Sequence, residues 1–157
     1  MKPLKLIVPI LLVLFAMAAL AAEIPPAMHQ LIDQMHNDAE SGKDMPKELP
    51  GIAQVSTDEA YKLWKSKGAI FLDNRLKSQF DAERIEGATW FFCDDLLANL
   101  AMASKLDASK KYVLYCNGPH CWRSPSVALV LKHLGVANVL WYRDGIPDWK
   151  KKGYSTE

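Results

Sequence analysis

The chain has 157 residues, of which half are apolar and 24% are charged, with a formal net charge of +1. This length and composition are typical of a single folded domain and exclude a multidomain or intrinsically disordered protein. The near-neutral charge offers no basic surface for nucleic acid or an anionic membrane, and three cysteines are too few for a disulfide scaffold.

Residues 1–22 have the regions of a secretory signal peptide. Lys2 and Lys5 form a positive start, an apolar stretch follows, and Ala19 and Ala21 supply the small residues that a signal peptidase reads. An uncleaved membrane anchor is the alternative, but this apolar stretch is at the lower limit for spanning a bilayer. We therefore predict cleavage near residue 22 and a mature protein, periplasmic or secreted, without a membrane segment. Both compartments are oxidising, so thiols there tend toward disulfides.

Residues 23–50 are predicted to form an N-terminal extension with one helix. Apolar residues recur at spacings of three and four over residues 27–40, as on an amphipathic helix. Two Met-His pairs lie seven residues apart on one face, and such residues can bind copper. Because methionine and histidine on such a helix serve more often in packing and surface contacts, we predict no metal site. The pairs are Met28-His29 and Met35-His36.

From residue 51 the pattern alternates between short apolar strands and amphipathic helices. Strands are predicted at residues 52–55, 69–73, 88–92, 112–116 and 139–142; helices at 56–67, 76–84, 94–104 and 124–134, with a short one ending at 149. This order predicts an α/β fold with a parallel sheet and helices on both faces. Ligands of such folds bind beyond the carboxyl ends of the strands, where Asp73, Arg75 and Cys116 would lie.

One loop carries most of the candidate chemistry. Cys116 follows a predicted buried strand, and Gly118 and Pro119 lead to Arg123 and a helix whose N-cap we assign to Ser124. Inward-facing amides, the positive end of that helix and the Arg123 guanidinium would form an anion cradle. The same positive potential would lower the pKa of the Cys116 thiol, so we predict a reactive cysteine rather than an inert one.

A second cysteine lies in the same loop. Cys121 is near enough in sequence to form a disulfide with Cys116, which would protect that residue or resolve its persulfide. Alternatively, Cys121 only packs beneath Trp122. His120 would either protonate a leaving group or add positive charge, or it is an exposed histidine without a role. Cys93 is predicted to be buried and structural.

Four segments within residues 51–157 resemble the rhodanese family of sulfurtransferase domains. They are the strand ending in Asp-x-Arg (residues 69–75), the segment 80–88, the catalytic strand and loop (113–124), and the closing element 142–149 with Gly153-Tyr154. The resemblance implies a rhodanese-like fold and the transfer of a sulfane sulfur to cyanide or a thiol through a persulfide on Cys116. It also implies that Asp73 and Arg75 order the site through hydrogen bonds.

The sequence departs from the family pattern in three places, one of which is Cys121, which lies inside the loop and is followed by Trp122. Arg123 lies seven positions after Cys116, where the family has about five, so the loop is longer and its donor preference is open. The Gly-His and Pro of the family's second segment are replaced by Glu83-Arg84 and Glu86.

The candidate site and its partners follow from these residues and from the resemblance to the rhodanese family. We expect a small anionic sulfur donor and a thiol or cyanide acceptor, or a periplasmic redox partner, and no cofactor, metal or nucleic acid. The catalytic candidates are Cys116, Cys121 and Arg123; the donor-binding loop comprises Asn117, Gly118, Pro119, His120, Trp122 and Ser124; Asp73 and Arg75 are supporting.

Three other functions remain as alternatives. The Cys116 and Cys121 pair would suit thiol–disulfide exchange or sulfur carriage, although four residues separate the cysteines instead of the two of thioredoxin-like sites. A cysteine phosphatase is disfavoured, because six residues instead of five separate Cys116 from Arg123 and no general acid is evident. A catalytically silent binding module would use the same fold without a reactive thiol.

Overall fold

The computed structural model describes residues 23–157, and the predicted signal peptide lies outside them. No helix in residues 23–157 has both the length and the apolar run needed to cross a bilayer. The helices are α1 (Pro26–Glu40), α2 (Thr57–Lys65), α3 (Lys77–Ala82), α4 (Cys93–Ala98), α5 (Arg123–His133) and α6 (Gly145–Lys151), and a 3₁₀ helix spans Leu100–Lys105. The strands are β1 (Ala53–Gln54), β2 (Ile70–Asp73), β3 (Thr89–Trp90), β4 (Lys111–Tyr115) and β5 (Asn138–Tyr142).

The five strands form one parallel sheet in the order β1-β5-β4-β2-β3. The strand β4 is therefore central and is paired on both sides, by β2 and β5. This architecture confirms the α/β prediction. It also places the loop after β4 in the middle of the carboxyl edge, where parallel folds bind their ligands.

Alternate residues of the central strand supply the cores on the two faces of the sheet. Tyr112 and Leu114 pack with α1, α4 and α5, whereas Val113 and Tyr115 pack with α2 and α6. The extension belongs to the first core, because Ile32 of α1 is buried there. Residues of β4 from Tyr112 onward are buried on both faces, as their uninterrupted apolar sequence indicates.

Local signals predicted most helix boundaries, with two exceptions. The capping box of Ser56 and Glu59 is present at the start of α2, as its sequence indicates. The predicted helix over residues 94–104 is instead divided at Asn99, whose side chain accepts a hydrogen bond from the Ala101 amide. An asparagine that bonds its own backbone competes with the helical hydrogen bonds, which explains the break.

The prediction that Ser124 caps α5 is wrong. The helix begins at Arg123 with Trp122 in the capping position, and Ser124 lies within the first turn. The buried Ser124 hydroxyl accepts a hydrogen bond of 3.1 Å from the indole nitrogen of Trp141 instead. A buried indole requires such an acceptor, and this tertiary demand outweighs the local capping preference.

Candidate functional site

The candidate nucleophile lies where the central strand ends. Cys116 directly follows β4, and its side chain is 1% exposed. Its carbonyl oxygen accepts a hydrogen bond of 3.1 Å from the amide of Ile146. The backbone of the loop after β4 is thereby attached to the segment that follows β5, and Cys116 is held at the carboxyl edge of the sheet.

Cys116 and Cys121 are joined by a disulfide. The intervening loop turns back on itself, because the Cys121 amide donates a hydrogen bond of 3.0 Å to the Gly118 carbonyl. Of the two arrangements that the sequence left open, the structure thus shows the bonded pair. It also places Cys93 in the core, where burial raises the pKa of its thiol far above the ordinary value, as expected for a structural cysteine.

The N-terminal extension holds the outer side of the cysteine loop. The Met45 amide donates a hydrogen bond of 2.7 Å to the Pro119 carbonyl. Asp44 forms an ion pair of 3.0 Å with His120, and Arg143 donates to the Met45 carbonyl at 2.8 Å. The sequence had no signal for these contacts, because their partners lie more than seventy residues apart and belong to irregular segments.

The positive charge around the loop is smaller than the sequence suggests. Arg123 pairs with Asp94 through two hydrogen bonds of 3.1 Å, and His120 faces Asp44. Arg123 also lies over the ring of Trp122. Our expectation that the Arg123 charge is directed into an anion cradle therefore needs correction, since a carboxylate offsets it. The positive end of α5 remains next to the loop.

A cavity of about 370 Å³ opens beside the loop. Its lining includes Cys121 but not Cys116 among the residues that the structure describes. The wall opposite the loop comes from α1, whose His36 ring lies 4.5 Å from the ring of Trp122. The lining residues are His36, Ala39, Glu40, Asn117, His120, Cys121, Trp122 and Arg123.

A larger cavity of about 640 Å³ lies elsewhere, at the amino end of β2. Its lining includes Trp64, Phe71 and Lys67 but neither cysteine nor histidine. The cavity beside the cysteine loop is therefore the candidate site, because Cys121 is part of its lining.

The supporting residues form a buried hydrogen-bonded group beneath the loop. Asp73 accepts from the side chain of Arg75 at 2.6 to 3.1 Å and from the Tyr115 hydroxyl at 2.6 Å. Burial acts to lower the pKa of Arg75, but its hydrogen bonds and attraction to Asp73 outweigh this and raise it. Arg75 also donates to the Glu83 carbonyl. The group connects β2, β4 and the segment before β3, and the ordering role of Asp73 and Arg75 stays a prediction.

Two asparagines near the loop differ from what the sequence predicted. Asn74 was not among the predicted site residues, and Asn117 was predicted to bind the donor. Asn74 is fully buried and donates a hydrogen bond of 2.7 Å to the Phe91 carbonyl, while its own side-chain oxygen has no partner among the described residues. It occupies the variable position of Asp-x-Arg, so sequence reasoning passed over it. Asn117, predicted for donor binding, donates to Gln79 of α3 at 3.2 Å and lines the cavity.

The comparisons with known proteins concern most of the described chain. The matching family is described as "Rhodanese-like domain" and covers residues 56–152. No curated protein matches the sequence.

Three solved structures illustrate the similarity. A rhodanese-related protein from Thermoplasma volcanium is 23% identical, covering 67% of this chain and 97% of its own, with a TM-score of 0.57. A Rhodopseudomonas palustris protein of unknown function, described as a possible tyrosine phosphatase, is 22% identical over 87% and 98%, with a TM-score of 0.57. A thiosulfate sulfurtransferase from Pseudomonas aeruginosa is 18% identical over 81% and 22%, with a TM-score of 0.53. At these identities the likeness shows the fold alone.

Proposed function

Because this chain belongs to the rhodanese-like domain family, we propose that it is a sulfurtransferase in which Cys116 carries a sulfane sulfur. The observation that supports this proposal most is the position of Cys116. It directly follows the central strand, it is buried, and the loop after it leads into the amino end of α5. A helix of this length concentrates partial positive charge at that end, which stabilises anions and thiolates nearby.

The proposed reaction has two steps. The Cys116 thiolate attacks the sulfane sulfur of thiosulfate, the sulfur–sulfur bond of the donor breaks, and sulfite leaves with the electron pair. An acceptor such as cyanide then attacks the outer sulfur of the persulfide and regenerates the thiolate, with thiocyanate as product. Because Cys116 is disulfide-bonded to Cys121, the site must first be reduced.

We further propose that the protein acts outside the cytoplasm. The predicted signal peptide and the disulfide are both consistent with an oxidising compartment. N-terminal sequencing of the protein purified from its producing cells tests this, and we expect the mature chain to begin near residue 23. A chain that still begins at Met1 would contradict the proposal.

Mass spectrometry of a single-cysteine loop tests the sulfur transfer. The Cys121→Ser variant, reduced and then freed of reductant, is expected to gain the mass of one sulfur atom with thiosulfate and to lose it to cyanide as thiocyanate. Peptide mapping is expected to place the sulfur on Cys116. Cys93→Ala in the same background is the matched control and is expected to load equally, because Cys93 is fully buried and does not line the cavity.

Changing both Cys116 and Cys121 to serine is expected to abolish loading. Equal loading of that double variant, or no loading of Cys121→Ser, would overturn the proposed function.

Thiol–disulfide exchange is the second candidate, and the disulfide itself favours it. An exchange protein would oxidise or reduce a dithiol substrate at a rate that does not depend on thiosulfate. The same Cys121→Ser variant distinguishes the two functions, because it retains sulfur loading but cannot form the internal disulfide.

A further inference from the structure

The structure places a second sulfur in bonding contact with the proposed nucleophile. Cys121 reaches Cys116 because the loop between them is folded back, with the two Cα atoms 6.1 Å apart. The hydrogen bond from Met45 to Pro119 holds this loop from the outside. We therefore expect the two sulfurs to remain neighbours after reduction, so that any sulfur taken up by Cys116 lies within reach of a thiol.

The two cysteines differ in their access to external molecules. Cys116 is almost fully buried, whereas Cys121 is partly exposed and lines the cavity together with His36 and Trp122. In the oxidised site a small external thiol can therefore meet Cys121 in the cavity, while Cys116 offers little surface for attack. We expect thiosulfate to reach Cys116 only after reduction, when Cys121 is no longer bonded to it. A cavity of about 370 Å³ is within the range of sites that bind small molecules.

We propose that Cys121 is the resolving cysteine of this site and that hydrogen sulfide is the product it releases, an inference that rests on the proposed function. The Cys121 thiolate attacks the Cys116 sulfur of the persulfide, which is the atom it bonds in the structure. The bond between Cys116 and the sulfane sulfur breaks, and the sulfane sulfur leaves as hydrosulfide with the electron pair. In this step Cys121 is oxidised from thiolate to disulfide and the outer sulfur is reduced from persulfide to hydrosulfide. Over loading and resolution together, the two cysteine thiols lose two electrons and the sulfane sulfur gains them.

A small thiol such as glutathione completes the cycle. Its thiolate attacks Cys121, and Cys116 leaves as a thiolate, which is the form that accepts the next sulfur. A second thiol then frees Cys121 from the mixed disulfide. The net reaction converts thiosulfate and two thiols into sulfite, hydrogen sulfide and one disulfide, so that the thiols supply both electrons and both protons.

A single-turnover experiment tests this proposal. Wild-type protein is reduced, freed of reductant without oxygen, and mixed with thiosulfate, after which released sulfide and remaining thiols are measured. We expect about one sulfide per protein and the loss of two thiols, in the same time course, with the Cys116–Cys121 disulfide re-formed. Cys93→Ala is the matched control with the same expected yield, and Cys121→Ser is expected to hold its sulfur and release no sulfide.

The outcomes separate this inference from the proposed function. If Cys121→Ser takes up sulfur but reduced wild type also keeps a stable persulfide and releases no sulfide, the resolving role is overturned. A persulfide mapped to Cys121 in the wild type would overturn it as well, because the sulfur would then have moved outward. If Cys121→Ser takes up no sulfur, the proposed function itself fails.

The entry point of the external thiol has its own readout. Disulfide opening by a limiting amount of glutathione is expected to give a mixed disulfide on Cys121, which peptide mapping after acid quenching identifies. A mixed disulfide found on Cys116 would contradict the assigned direction of attack.

Discussion

Gly145 allows the segment after β5 to lie close to the loop after β4. Its φ is +61°, and a Cβ atom there would overlap the Cys116 carbonyl oxygen and lie 2.8 Å from the Gly118 amide nitrogen. Only glycine tolerates both this backbone conformation and this contact. The residue therefore supports the position of Cys116 through the backbone.

We predict that Gly145→Ala destabilises the protein by about 2–4 kcal/mol, combining left-handed backbone strain with overpacking. Gly153→Ala is the matched control, because Gly153 has a φ of +72° but open space around it. The control is expected to cost only the backbone strain, about 1 kcal/mol. Urea unfolding of both variants measures the difference, and equal losses would contradict the packing argument.

Tyr115 connects the core to the buried Asp73 carboxylate. Its hydroxyl donates to Asp73 and accepts from the Ile85 amide. Burial, followed by the neighbouring Asp73 charge, raises the pKa of Tyr115 far above its ordinary value. The folded protein therefore keeps this proton at a pH where the unfolded chain has lost it.

This shift predicts a pH dependence of stability. The contribution of Tyr115 is complete below about pH 10, the unfolded pKa of tyrosine, and is lost as the pH rises above it. We expect Tyr115→Phe to be less stable by about 1–3 kcal/mol at pH 7, because Asp73 loses a buried donor. Its free energy of unfolding is then expected to fall less steeply than that of the wild type between about pH 10 and 11. Parallel slopes in urea titrations would argue against a role for this proton.

At the level of elements, α1 covers the site and packs into the main core. Ile32 and Met35 are buried against the sheet, while His36 on the same helix lies against Trp122 of the cysteine loop. The helix α1 therefore has two roles, because it fills part of the core and also forms one wall of the cavity. Of its two Met-His pairs, Met28 and Met35 pack against the core and His36 makes the ring contact, whereas His29 is exposed.

We predict that Met35→Ala lowers the free energy of unfolding by about 2–5 kcal/mol, as for other fully buried methionines. Met28→Ala, on the same helix and only partly buried, is the matched control and is expected to cost less than half as much. The midpoints of urea unfolding measure both variants. Similar small losses would show that α1 is not part of the cooperative core.

For the whole molecule, the sheet order makes the cysteine loop the centre of one edge. The strand β4 is paired with β5 along its whole length and with β2 from Tyr112 onward, so Cys116 follows a strand that is held on both sides. The loop is held by the disulfide, the extension, the segment after β5 and the hydrogen bond from Asn117 to Gln79 of α3. Reduction of the disulfide removes only one of these four restraints.

We expect the reduced protein to remain folded but to be less stable by about 2 kcal/mol, the loop-entropy value for a short disulfide loop. Cys121→Ser is expected to show a similar loss and, unlike the wild type, no further change with reductant. Urea unfolding with and without a phosphine reductant measures both. Complete unfolding on reduction would exclude a catalytic cycle that passes through the reduced state.

The order of strands and helices and the position of Cys116 could be predicted from local sequence. Apolar periodicity and the Ser56 capping box act over a few residues, so the sequence displays them directly. The same reasoning failed at Ser124 and at Asn99. In the first case a tertiary partner outweighed a local preference, and in the second a local side-chain bond interrupted the helix.

The sequence by itself thus determined the fold class, the family likeness and the position of Cys116 at the end of a buried strand, because each depends on neighbours in the chain. Only the tertiary structure decided that Cys116 is bonded to Cys121, that Asp94 offsets the charge of Arg123, and that α1 closes the cavity. Arg123 and Asp94, for example, meet because α4 and α5 pack against each other on one face of the sheet. Charged groups and thiols interact with the groups that are nearest in space, and spacing along the sequence does not encode that distance.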